Sequence, residues 1–288
     1  MAKNFILVTD SSADLTPELV QELDVKVIPL TVSVDGGEYI PGDKLDIKNF
    51  YNQLREGKTA TTSAINLDQA TAALEPFVAE GNDVLYVAFS SGLSSTFNTG
   101  KIAAEELCEK YPGRKVMAVD TLAASLGQGL LVYYAAKLRD EGKTIEEVRD
   151  WLEANRNNLA HWFTVDDLHH LKRGGRVSAA TAVVGTMLAI KPVLHVDNEG
   201  HLINVAKARG RKPSINALAD KIAATAVDIE NQVVFISHGD CEDEAKYLAE
   251  IIREKYNPKD IVIGYVGCVI GAHAGPGVLA LFFMATEK

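Results

Sequence analysis

Along the first 158 positions, short apolar runs alternate with amphipathic stretches. Phe5–Asp10 (FILVTD) predicts a buried strand, and Thr16 before Pro17 predicts a capped helix start. The stretch Val25–Tyr39 is extended, with apolar positions two apart and a Gly-Gly turn. Helical spacing follows at Asp46–Arg55 and Asn66–Ala79. A strand beginning at Val84 leads into a helix that starts after Ser94. Lys115–Asp120 is a further strand, followed by helices at Ser125–Asp140 and Thr144–Asn157, the second opened by a capping box of Thr144 and Glu147. Strands separated by helices imply a parallel sheet covered on both faces, with ligands beyond the carboxyl ends of its strands. Asp10-Ser11-Ser12, Ser90–Thr96 and Asp120-Thr121 all fall at those ends.

From about His161 the pattern changes. A strand at His161–Val165, a short helix ending at Gly174-Gly175 and an apolar helix Ala179–Ile190 lead into a hairpin, Pro192–Arg209, turning at Asp197–Gly200. Helices near Pro213–Ala226 and Cys241–Tyr256 bracket the strand Gln232–Gly239, and strands Asp260–Gly267 and Val278–Ala285 close the chain. A hairpin beside helices predicts an α+β unit with a mixed sheet, which puts a domain boundary near residue 159.

Composition narrows the class. The chain has 288 residues, 47% hydrophobic and 24% charged, which is ordinary for a globular protein and long enough for two domains. No apolar run reaches the ~18 residues of a membrane span, and the opening residues are interrupted too early by Asp10 for a signal peptide, so a cytoplasmic protein is expected. Cys108, Cys241 and Cys268 lie far apart, as reduced thiols do. A net charge of −10 argues against nucleic acid as a partner. Positive charge nonetheless gathers in Leu171–Arg176 (LKRGGR) and Lys207–Lys212 (KARGRK), flanking the hairpin, where it suits an anion or an acidic partner.

Four serines and a threonine surround Gly92 in Val84–Lys101 (VLYVAFSSGLSSTFNTGK), at a strand-to-helix junction where free backbone N–H groups attract anions. A serine-hydrolase elbow fails at its last glycine, and a phosphate-binding P-loop fails on spacing. His169-His170 with Asp166 and Asp167, and His238 with Asp240 and Cys241, lack the geometry expected of metal ligands; no metal is expected. What remains is a small anion joined to something apolar. Hydroxyls hold a carboxylate by charge-assisted hydrogen bonds. Lys58–Asn66 (KTATTSAIN) supplies a second hydroxyl cluster, and Ala179–Ile190 and Val278–Met284 are apolar enough to wall a tunnel or simply to fill a core.

Seven segments in order carry a resemblance: VTDSSADLTPEL (Val8–Leu19), TTS (Thr61–Ser63), SSGLSSTF (Ser90–Phe97), VDTLAASLGQGLLV (Val119–Val132), LKRGGRVS (Leu171–Ser178), KARGRKPSI (Lys207–Ile215) and IGAHAGPGVLA (Ile270–Ala280). Through them the chain resembles the DegV family of bacterial fatty-acid-binding proteins. It departs from the family's usual pattern at Ala64-Ile65, where Gln-Pro is common, and at Ser95, where glycine is common. The resemblance implies a two-domain α/β fold, with an N-terminal parallel-sheet domain (1–158), a C-terminal α+β domain with a mixed sheet (159–288) and a ligand tunnel between them. It implies a non-catalytic role without cofactor. The protein would bind a long-chain fatty acid by its carboxylate on Thr62 and Ser94, with His273 close to the head group. It would present that carboxylate to a separate ATP-using fatty-acid kinase, which makes the acyl phosphate for phospholipid synthesis. Arg176 and Arg209, in the basic motifs, would face the kinase or support phosphoryl transfer. Membrane contact, if any, would be transient. The alternative from a different class is an acyl hydrolase or transferase using Ser94 as nucleophile.

Overall fold

The computed structural model describes residues 4–39, 46–177 and 190–288. Its strands in chain order are β1 (Ile6–Asp10), β2 (Val25–Ile28), β3 (Thr31–Val34), β4 (Gly37–Tyr39), β5 (Ala60–Ser63), β6 (Val84–Ala88) and β7 (Val116–Asp120). From Leu159 onward come β8 (Leu159–Thr164), β9 (Ile190–Val196), β10 (Leu202–Arg209), β11 (Val233–His238), β12 (Asp260–Tyr265) and β13 (Leu279–Met284). Helices α1 (Pro17–Leu23), α2 (Ile47–Arg55), α3 (Leu67–Ala79), α4 (Thr96–Lys110), α5 (Leu126–Asp140) and α6 (Ile145–Asn155) lie before β8. Helices α7 (His169–Arg173), α8 (Arg211–Thr225), α9 (Glu242–Tyr256) and α10 (Cys268–Ala274) follow it. The predicted apolar helix Ala179–Ile190 lies, except for Ile190, outside the described residues.

The first sheet has the order β2-β1-β6-β7 and is parallel throughout. The second, β10-β9-β8-β13-β11-β12, is mixed, since only β11 and β12 run parallel. The fold is thus the mixed α/β arrangement that the alternating pattern predicts. Local capping follows the sequence. Thr16 accepts from the Leu19 amide, and Thr144 and Glu147 close their capping box.

Two elements depart from the sequence reading. The hydroxyl segment before α3 includes a strand, β5, which pairs with β3 beside β4 in a small antiparallel sheet. Four residues of Ala, Thr and Ser carry too little apolar alternation to predict it. The glycine-rich stretch after β12 forms α10, whose seven residues include Gly271 and which is flanked by Gly267 and Gly275, residues that depress helix propensity.

Helix α5 joins the two main sheets. Leu126, Leu130, Leu131 and Val132 share one core with Leu7, Leu85 and Val87 of the first sheet and with Phe235 and Phe282 of the second. A helix with a wide apolar surface is buried on several sides, and α5 is. On the other face of the first sheet, Val8, Val84 and Tyr86 pack with α3, α4, the small sheet and Cys268, Val269 and Ala272 of α10. Helices α8 and α9 cover the outer face of the second sheet over Trp162, Ile236 and Phe283.

Candidate functional site

A cavity opens where the two halves of the chain meet, with about 950 Å³ of atom-free space including its mouth. Its lining draws on β5, the β6–α4 turn, the start of α5, the second sheet and α10.

One part of the lining is rich in hydroxyls. Beyond β6, the Ser90 amide donates to the Ala123 carbonyl, and the Ser90 hydroxyl donates to the Gly200 carbonyl across 2.9 Å. The hairpin tip is thereby held against the turn. Gly92 is required by the same approach, because a Cβ there would stand 2.7 Å from the Glu199 carbonyl oxygen. Ser94 Oγ lies 2.8 Å from Thr96 Oγ1 and accepts from the Thr96 amide at 3.2 Å, satisfying one N–H at the start of α4. Ser95, at the N-cap position, makes no capping bond with its side chain.

Thr62 comes to the same cavity on β5, and His273 on α10; Thr62 Oγ1 and His273 Nε2 are 2.8 Å apart. Gly174 passes so close to the His273 ring that a Cβ there would overlap it. Burial lowers the His273 pKa to about 4, with the nearby Arg176 guanidinium adding to the effect, so the imidazole is neutral at physiological pH. Arg176 lines the cavity and donates to the Leu93 carbonyl at 3.2 Å and to the Gly174 carbonyl. It fastens the hydroxyl turn to the end of α7. Burial lowers its pKa from the usual arginine value, but among the described lining residues it is the sole Lys or Arg.

The structure therefore brings Thr62, Ser94, His273 and Arg176 to one cavity. Arg209 is not part of that lining; it is exposed at the end of β10, the edge strand of the second sheet. The rest of the wall is mainly apolar, including Phe89, Phe163, Leu171, Val269, Ile270 and Val278. Of the apolar run singled out in the sequence, Val278 and Ala280 face the cavity, whereas Leu281 and Phe283 belong to the core beneath α8 and α9. Three polar lining residues escaped the sequence reading: His161, Ser125 and Ser237. A polar residue amid apolar strand neighbours was the available signal for His161 and Ser237.

Chemically, hydroxyls, one guanidinium and a neutral imidazole beside an apolar wall suit a carboxylate with a long tail. Nucleophilic catalysis at Ser94 is poorly supported by the pairing, because the ring nitrogen of His273 engages Thr62 and the Ser94 hydroxyl engages Thr96. Among the described residues no group of three His, Cys, Asp or Glu side chains is placed to hold a metal ion. Nor is any described helix long and apolar enough to cross a membrane.

The chain is similar to known proteins along nearly its whole length. The family model described as "Uncharacterised protein, DegV family" matches residues 4–286. A DegV domain-containing protein of Clostridium perfringens is 49% identical over 288 residues, covering 99% of both chains. Among solved structures, a fatty-acid-binding DegV family protein from Thermus thermophilus superposes with a TM-score of 0.88 at 32% identity, covering 98% of this chain and 99% of that one. DegV of Bacillus subtilis, a fatty-acid-binding protein, gives 0.83 at 31% identity over 99% of this chain and 100% of its own. With a family match along nearly its whole length and relatives above 30% identity that are covered end to end, this chain belongs to the DegV family.

Proposed function

We propose that this protein binds one long-chain fatty acid in the cavity between an N-terminal domain (1–158) and a C-terminal domain (159–288), and presents its carboxylate to a separate ATP-using kinase. The observation that carries the reading is a single cavity with Thr62, Ser94, His273 and Arg176 in one part of its lining and apolar side chains over most of the rest. Thr62 and Ser94 donate to the carboxylate, and His273 stands beside it. The tail supplies most of the affinity: a C16 chain buries about 15 methylene and methyl groups at ~0.8 kcal/mol each, roughly 12 kcal/mol gross. The protein can thus keep the tail dry while the head remains within reach of another catalyst. Fatty-acid binding by similar DegV structures supports the ligand class. The kinase partnership draws on the basic motifs around Arg176 and Arg209, since guanidinium groups position and neutralise a transferring phosphoryl group.

Denaturing extraction of the protein purified from a bacterial host, followed by mass spectrometry, tests the ligand. Close to one acyl chain per protein is expected. Ser94→Ala and Thr62→Val should each weaken binding by about ten-fold, the loss of one charge-assisted hydrogen bond. An extract free of acyl chains, with no thermal stabilisation by added C14 to C18 acids, would overturn the reading.

A further inference from the structure

A second polar cluster lines the same cavity, more deeply buried than the first. Ser125, Ser237 and His161 are 3%, 0% and 4% exposed, whereas Thr62, Ser94 and His273 are only partly buried. Ser237 on β11 sits opposite Ala280 on β13, and Ala280 sits opposite Phe163 on β8. His161 is two residues from Phe163 along β8 and so shares its face of the sheet. Ser125 immediately precedes α5, which packs against that face, and its hydroxyl reaches Asp14 Oδ2 at 2.5 Å and Ser237 Oγ at 3.0 Å. Its φ of 53° and ψ of −146° form a backbone conformation that L side chains rarely adopt, so the hydroxyl is held there against local preference.

The hydrogen bonds of this cluster do not close. Burial pushes the Asp14 carboxyl up to about 8, the Ser125 hydroxyl and Gly267 amide opposing it, so the group is protonated at neutral pH. Ser125 is the donor toward both Asp14 Oδ2 and Ser237 Oγ, so its one proton faces two acceptors. The Ser237 proton has no acceptor among the described residues. His161 is kept neutral by burial, with the charges of Lys288 and His195 adding to it, and a neutral imidazole has one donor and one acceptor nitrogen. Its ring packs edge-on against Phe282 and beside Phe163, its Nδ1 is closed off against Gly127, and Nε2, the nitrogen that is not closed off, has no hydrogen-bond partner among the described residues. Unpaired polar groups are costly in such surroundings unless a ligand supplies partners. A plain alkyl chain supplies none.

We infer that Ser125, Ser237 and His161 form a subsite for an oxygen carried partway along the acyl chain, so that the cavity prefers a hydroxy fatty acid to its unsubstituted counterpart. The inference rests on the fatty-acid reading above. A secondary alcohol can accept from the Ser237 hydroxyl and donate to the unprotonated imidazole nitrogen, which a methylene cannot do. The preference resides in the chain, away from the carboxylate that both acids share.

The test is competition of stearate and of stearates hydroxylated at carbons 3, 7, 10 and 12 against a fluorescent fatty acid on delipidated protein. At least one positional isomer should bind about ten-fold more tightly than stearate, the worth of one or two buried hydrogen bonds. Ser237→Ala should invert the order, strengthening stearate binding and weakening that isomer. His161→Phe, flanked by Phe163 and Phe282, should do the same and gives a second variant should either fold poorly. If stearate binds and no isomer binds more tightly, the cluster holds water only and the inference fails. It fails equally if the preference survives in both variants. Binding of neither the probe nor any acid would instead overturn the fatty-acid reading, and this inference with it.

Discussion

Thr62 and His273 lie 211 positions apart in the chain, yet they share a 2.8 Å hydrogen bond. The burial of His273 has a consequence for pH. A folded-state pKa of about 4 lies below the ordinary histidine value of 6.5, so protonation of His273 favours the unfolded chain. Its contribution is fully present above pH 6.5 and is lost as pH falls toward 4, with a ceiling of about 3 kcal/mol. Stability of the ligand-free protein, measured as urea midpoints, should fall through that window. His273→Gln should flatten part of the fall. The remainder combines the loss from His161, His170, His195 and His238, which burial also holds below the usual value, with an opposing gain from Asp10 and Asp14, whose carboxyls burial raises. An unchanged pH profile in the variant would show that His273 is not held neutral. The sequence motifs name Thr62, Ser94, His273 and Arg176, but they do not say what each side chain touches. Ser94 turns to Thr96, and Arg176 turns to two backbone carbonyls.

The hydroxyl turn between β6 and α4 is shaped by an element more than 90 positions further along the chain. The tip of the β9–β10 hairpin accepts from Ser90 at Gly200 and leaves no room for a side chain at Gly92. Because Gly92 does not have a positive φ, alanine suits its backbone, and any cost reports the hairpin contact itself. Gly92→Ala should destabilise the protein by about 1–3 kcal/mol, as overpacking does, and should weaken fatty-acid binding by moving Ser94. Equilibrium denaturation and ligand titration check the two effects, and wild-type values in both would remove the hairpin from the site. Elements were legible where the apolar period was strong, as in α2, α6 and β11. They were missed where it was weak: β5 is four short polar-leaning residues, and α10 is a seven-residue helix containing Gly271.

In the whole molecule, the cavity is the space left where β5, the β6–α4 turn, the start of α5, α10 and the second sheet meet, so its ligand touches both halves. Arg209 stands outside that space, on the edge strand β10 with Lys207 exposed beside it. Charges on an edge strand also discourage sheet-to-sheet aggregation, which is the competing account of these residues. Arg209→Ala should leave fatty-acid affinity unchanged while lowering acyl-phosphate formation by a cognate kinase about ten-fold, or 1.4 kcal/mol. Wild-type turnover at subsaturating carrier would leave Arg209 with the edge-protecting role alone. The sequence by itself determined the local elements, because capping residues and apolar period act within a few neighbouring residues. It also determined the α/β class and, through seven ordered motifs, the family. Only the tertiary structure decided that α5 is buried between two sheets, that β5 joins β3 across α2, and that hydroxyls from distant turns converge with a histidine on one cavity. An apolar period shows which face of an element avoids water but not which partner covers it, and a cavity exists only where the packed partners fail to fill the space between them.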